Sequence, residues 1–143
     1  MKQHGVSDLV DSLLHPRAIE LRQLLGNVQQ DVRPRSILID DEENIMQAMA
    51  AGVKIERIFF TSDMPIPPQL QQKLAPSVKT YELAKRTGKK LFKTGKWSRI
   101  FAIAQAPPLL TLADLASMKK DMVVLENLGI SGNVGAIIRT AVA

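Results

Sequence analysis

A chain of 143 residues has the length of one ordinary domain, and its 45% hydrophobic and 23% charged residues are the proportions of a globular protein. The absence of cysteine excludes disulfides and thiolate metal sites. With only His4 and His15 as imidazoles no metal centre is expected, and no apolar run approaches the roughly 18 residues that cross a bilayer. The formal net charge of +5 favours an anionic partner over a cationic one.

From the N-terminus, "MKQHGVSDLVDSLLHPR" mixes acids among its apolar residues and so is not a signal peptide; a cytoplasmic protein is expected. Val6, Leu9, Val10, Leu13 and Leu14 fall on one helical stripe. Pro16 then suits the first turn of a second helix carrying Leu21, Leu24, Leu25 and Val28, so residues 1–30 are predicted as N-terminal helices. "QQDVRPR" is a polar connector and "SILID" a short buried strand. "DEENIMQAMAAG" follows as a helix, with Asp41 as N-cap, Glu42 and Glu43 in its first turn and Gly52 as its stop. "IERIFFT" is a strand, "PPQLQQKLA" a helix entered through prolines, and "VKTYEL" begins with a strand. "ELAKRTGKK" is a short basic helix and "RIFAIAQA" a further strand. Strands alternating with short helices predict an α/β fold with a parallel or mixed sheet covered on both faces.

Pro107-Pro108 marks the boundary. Residues 1–107 form one α/β domain, 108–120 a linker holding one short helix, and 121–143 a fresh strand, "MVVLEN", followed by a fresh helix, "NVGAIIRTAVA". That last unit cannot cover its own faces, since Val134, Ile137, Ile138, Ala141 and Val142 make an apolar stripe that needs partners.

The positive charge is concentrated. Between Lys79 and Arg99 there are eight basic residues and one acid, while the rest of the chain holds 11 basic and 13 acidic residues. Within it, Phe92 and Trp97 are interleaved with Lys89, Lys90, Lys93, Lys96 and Arg99. Cations that neutralise phosphates beside aromatics that stack on unpaired bases make these seven the candidate RNA contacts. The alternative, that Phe92 and Trp97 pack on the core beneath a solvated lysine loop, stays open. Arg33 and Arg35, ahead of the first strand of the domain, are a second candidate contact.

The glycines of "GISGNVG" are spaced neither as a dinucleotide fingerprint nor as a phosphate-cradling loop, and spacing alone supports a plain strand-to-helix turn. Asn133 is placed to cap the helix. Arg139, one turn after Gly135, leans back over that glycine.

The run "NLGISGNVGAIIRTAVA", through Asn133, Gly135, Ala136, Arg139 and Thr140, resembles the first signature motif of the SpoU (TrmH-type) branch of the SPOUT superfamily of RNA ribose methyltransferases. "ILIDDEENIMQAMAAGV", "KLFKTGKWSRIFAIAQAP" and "DMVVLENLGISGNVGAIIRT" are similar in order and spacing to the thiostrepton/nosiheptide-resistance enzymes. The resemblance implies a three-layer sandwich like the kink-turn-binding ribosomal proteins, followed by the first βα unit of a SPOUT knot domain. It implies transfer of a methyl group from S-adenosylmethionine to a ribose 2′-hydroxyl of a structured ribosomal RNA hairpin or loop, with Arg139 at the catalytic centre and Asn133 beside it. The later motifs that build the knot and the cofactor pocket have no counterpart in this sequence. An N-terminal fragment is therefore expected, which binds RNA but neither S-adenosylmethionine nor a metal and is inactive alone. It would be a monomer or weak dimer where the parent is a homodimer. The alternative is a stand-alone RNA-binding module of ribosomal-protein type.

Overall fold

The structure, a computed structural model, describes residues 8–26, 35–93 and 97–142. In chain order its elements are β1 (Asp8–Val10), α1 (Pro16–Gly26), β2 (Ser36–Asp40), α2 (Glu42–Ala50), β3 (Ile55–Phe60), α3 (Pro68–Lys73), β4 (Lys79–Leu83), α4 (Lys85–Leu91), β5 (Ile100–Gln105), α5 (Leu112–Ser117) and α6 (Ser131–Val142). Two compact units, Met1–Pro107 and Pro108–Ala143, divide the chain.

The first unit is built on a five-stranded sheet of order β1-β4-β3-β5-β2. β1 and β3 pair parallel with β4, whereas β5 runs antiparallel to both β3 and β2. The sheet is therefore mixed, with β5 the one reversed strand. Alternation along "IFAIA" sets the layers: Phe101 and Ile103 point into one core, and Ile100, Ala102 and Ala104 into the other. Ala18, Leu21 and Leu91 close the first core from α1 and α4, and Ile45 and Leu70 close the second from α2 and α3. β3 breaks the two-residue period. Its register against β5 shifts between Ile55 and Arg57, and the extra residue brings Ile55 and Ile58, three apart, to the same face. At the centre of the first core Phe59 stacks on both Tyr81 and Phe101, with ring centroids 5.2 and 5.1 Å away.

The helix ends follow local chemistry. Asp41 Oδ1 accepts from the Glu42 N–H at 2.8 Å, and Gly52 leaves α2 at φ 83°, in the left-handed region glycine tolerates best. Pro16 opens α1.

Two sequence expectations do not hold. Asp8–Val10 is a strand rather than part of a helical stripe, because an edge position beside β4 buries Val10 completely and supplies a hydrogen-bond ladder that an isolated helical turn lacks. Residues 122–126, "MVVLE", form no strand. Their own unit holds no other strand among the described residues, and an extended segment without a ladder has nothing to fix its pleat. In that unit α5 is capped at both ends of a box: Thr111 Oγ1 accepts from the Asp114 N–H, and Asp114 accepts from the Thr111 N–H. None of the described residues of 108–142 is buried.

Candidate nucleic-acid interface

α4 reads "KRTGKKL", and its seven residues divide by face. Thr87, Gly88 and Leu91 are buried against the sheet, while Lys85, Arg86, Lys89 and Lys90 are exposed, with Lys93 exposed just beyond. The inner face is held by a close approach. Gly88 has no Cβ, and one placed there would lie within 2.5 Å of Trp97 Cζ2, so the indole lies directly on the helix backbone. Trp97 in turn stacks on Phe92 at 5.4 Å with the rings 3° from parallel, and Phe92 meets Phe101 edge-on at 5.2 Å. A chain of rings thus ties the basic segment to the core. Phe92 and Trp97 both pack, partly buried, against the first core, and Phe92 supports the indole. Trp97, half-buried, remains at the rim of a cavity.

That cavity, of about 630 Å³, lies where β2, β3 and β4 end and β5 begins. Three parallel strands thus present their carboxyl ends there, the end at which open α/β sheets take ligands. Asp40 and Asp41 line one side from the end of β2, and Lys85 and Lys89 another from α4. Thr61, Asp63, Ser98 and Arg99 complete it.

Charge across the site is partly compensated. Asp63 Oδ2 accepts from Lys85 Nζ at 2.9 Å and from Arg99 Nη1 at 2.5 Å. The Lys85 ammonium, with the Arg99 guanidinium beside it, holds the Asp63 carboxyl down to a pKa of about 2. Arg99, expected as a contact for RNA, is therefore engaged by an internal carboxylate. Among the described residues Arg86, Lys89, Lys90 and Lys93 make no ion pair.

The second expected contact lies elsewhere. Arg35 precedes β2, and its carbonyl accepts from the Ala106 N–H at 2.9 Å, at the end of the sheet opposite the cavity. Five strand residues, about 17 Å, separate it from Asp40. Arg33 and Lys96 lie outside the described residues.

In α6 the helix begins at Ser131, so Asn133 sits inside its first turn with its N–H on the Ile130 carbonyl at 3.0 Å, not at the cap. The guanidinium of Arg139 does fold back over Gly135: a Cβ there would meet Nη1 at 3.2 Å.

Asp40, Thr61, Asp63, Lys85 and Ser98 were not singled out from the sequence, and Asp41 was read only as a helix cap. Asp63 is 36 residues from Arg99, and only the pairing of β3 with β5 brings the two together.

Comparisons with known proteins fit this arrangement. The family described as "Thiostrepton-resistance methylase, N terminus" matches residues 7–118. The 23S rRNA (adenosine(1067)-2′-O)-methyltransferase of Streptomyces laurentii is 35% identical over 107 residues, covering 74% of this chain and 40% of that protein. The enzyme of the same description from Streptomyces azureus is 32% identical over 110 residues, covering 76% and 41%. The chain thus spans about two fifths of the length of these curated relatives. Among solved structures, an RNA 2′-O ribose methyltransferase aligns with a TM-score of 0.62 over 93% of this chain and 51% of its own, at 24% identity. An rRNA methyltransferase from Sinorhizobium meliloti aligns with a TM-score of 0.57 over 72% and 38%, at 20% identity. At these identities the two structures share the fold.

Proposed function

The chain belongs to the family of thiostrepton-resistance methylase N-terminal regions, and from that premise we propose that it is the RNA-holding part of an S-adenosylmethionine-dependent rRNA 2′-O-ribose methyltransferase. One observation carries the reading. α4 and the residue after it present Arg86, Lys89, Lys90 and Lys93 unpaired on one exposed face, beside the carboxyl ends of the parallel strands. Each cation that meets a phosphate releases condensed counterions, so such a ridge binds a polyanion with an affinity that falls steeply with salt. Helices on both faces of the sheet support the three-layer sandwich of the kink-turn-binding ribosomal proteins. α6, with its arginine, supports the opening of a SPOUT catalytic domain that acts on a structured ribosomal RNA loop in the cytoplasm.

Arg139 and Asn133 are the residues assigned to the ribose. A planar guanidinium can hold a phosphate with two parallel hydrogen bonds and stabilise charge growing on the attacking 2′-oxygen, which a lysine would not reproduce. S-adenosylmethionine would supply the methyl group. The described residues of 108–142 do not fit that cofactor, for none is buried and the unit has no interior to enclose an adenosyl group. The chain alone is therefore expected to leave RNA unmethylated, and calorimetric titration should show no binding of S-adenosylmethionine; a micromolar constant would refute this. A monomer or weak dimer is expected on the same ground.

The test of RNA binding is a salt titration against a ribosomal RNA hairpin. Affinity should drop by orders of magnitude between 50 and 200 mM salt, and Lys89→Ala, Lys90→Ala and Lys93→Ala together should flatten the log–log slope by about two to three. Unchanged slopes would show the ridge to be a solubility feature only.

A further inference from the structure

Asp63 is the acid that closes on the basic face. It lies in the loop after β3, and Lys85 and Arg99 reach it from α4 and from the entry to β5. Asp63 is itself an exposed residue, with its side chain at 27% exposure beside 55% and 60% for the two cations, so all three groups are open to a ligand from solvent. A phosphate oxygen offers what this carboxylate offers: an anionic acceptor for one ammonium and one guanidinium donor. Asp63 thus occupies the place that an RNA phosphate would take between the same two groups. Close by, the Thr61 hydroxyl is fully buried and lines the cavity, yet makes no hydrogen bond of acceptable geometry. A buried hydroxyl without a partner is a costly arrangement, which leaves a donor unused next to Asp63.

We infer that Asp63 is a built-in competitor for the RNA backbone, bridging Lys85 and Arg99 until a correctly presented phosphate displaces its carboxylate toward the Thr61 hydroxyl. The inference rests on the RNA-binding reading and adds to it a residue that sets specificity. Any nucleic acid can meet the unpaired ridge of α4. Only one whose shape delivers a phosphate to the Lys85–Arg99 gap regains the two occupied cations. Asp63 therefore lowers affinity for every RNA, and lowers it most for those that fit least.

The experiment compares the full chain with Asp63→Asn, each titrated with a ribosomal RNA hairpin and with poly(U) at 50 and 200 mM salt. Freeing two cations should raise poly(U) affinity about tenfold at the lower salt and steepen its salt slope by about one to two. Hairpin affinity should rise less, so the hairpin-to-poly(U) ratio falls. Thr61→Val, nearly isosteric, should weaken hairpin binding about threefold in the native background and have no effect in the Asp63→Asn background, the non-additivity of coupled groups. A thermal melt followed by circular dichroism verifies that both variants are folded. If Asp63 served only to tie β3 to α4, its substitution would lower the melting temperature and leave poly(U) binding equal or weaker; that result overturns the inference alone. Failure of either protein to bind any RNA at 50 mM salt overturns the functional reading and the inference with it.

Discussion

Gly88 and Trp97 show how one absent methyl group positions a basic surface. The indole fills the space a Cβ would need, and through Phe92 it fixes the segment that carries Lys93. Gly88→Ala should displace the ring at a cost of about 1–3 kcal/mol, as overpacking does, and shift the emission of this single tryptophan to the red. An unshifted spectrum with unchanged stability would contradict that geometry. Asp63 makes a second prediction at this scale. Its pKa is lowered from 3.8 to about 2 in the fold, so its ion pairs add stability that is complete above pH 3.8 and is lost as pH falls through 2. Acid titration should therefore show the native chain losing stability across that window more steeply than Asp63→Asn does.

At the scale of elements, the strands and helices with strong periodicity or plain end signals were legible in the sequence. "SILID", "IERIFF" and "IFAIAQ" are strands as read, although "SILID", expected to be buried, is an edge strand with no fully buried residue, and Asp41 caps α2 as its position before two glutamates suggested. Replacing Asp41 by Ala should cost about 1 kcal/mol, measured by denaturant unfolding. What could not be read depends on distant partners. β1 has only three residues and becomes a strand through β4, some seventy positions away, while its leucine and valine mimic part of a helical stripe. Residues 122–126 are the converse, a strand-like composition that finds no ladder among the described residues of its unit. The candidate site was half legible for the same reason. The cations of α4 are adjacent in sequence and read as a cluster, whereas the acids that face them come from the ends of β2 and β3. Composition located the ridge, and topology alone located its counter-charge.

For the whole molecule, among the described residues every buried apolar side chain lies between Val10 and Ala104, and both cores draw on that range. Residues 1–107 produced alone should keep the melting transition of the full chain and its salt-dependent RNA binding; a transition lowered by more than a few degrees would show that residues 108–143 carry part of the stability. Truncating Phe101 to Ala, which removes one stacked ring contact with Phe59 and one edge-on contact with Phe92, should cost about 3–5 kcal/mol in either form.

The order of the sheet also governs when it can assemble. β5 comes last of its strands in sequence but lies between β3 and β2, and among the described residues β2 hydrogen-bonds to no other strand. During synthesis, β2 therefore waits with both edges open for some sixty residues of elongation before its neighbour leaves the exit tunnel. Nascent chains stalled short of residue 100 are thus the form most exposed to strand-mediated aggregation, and a cell that makes this protein faces that hazard each time translation pauses there.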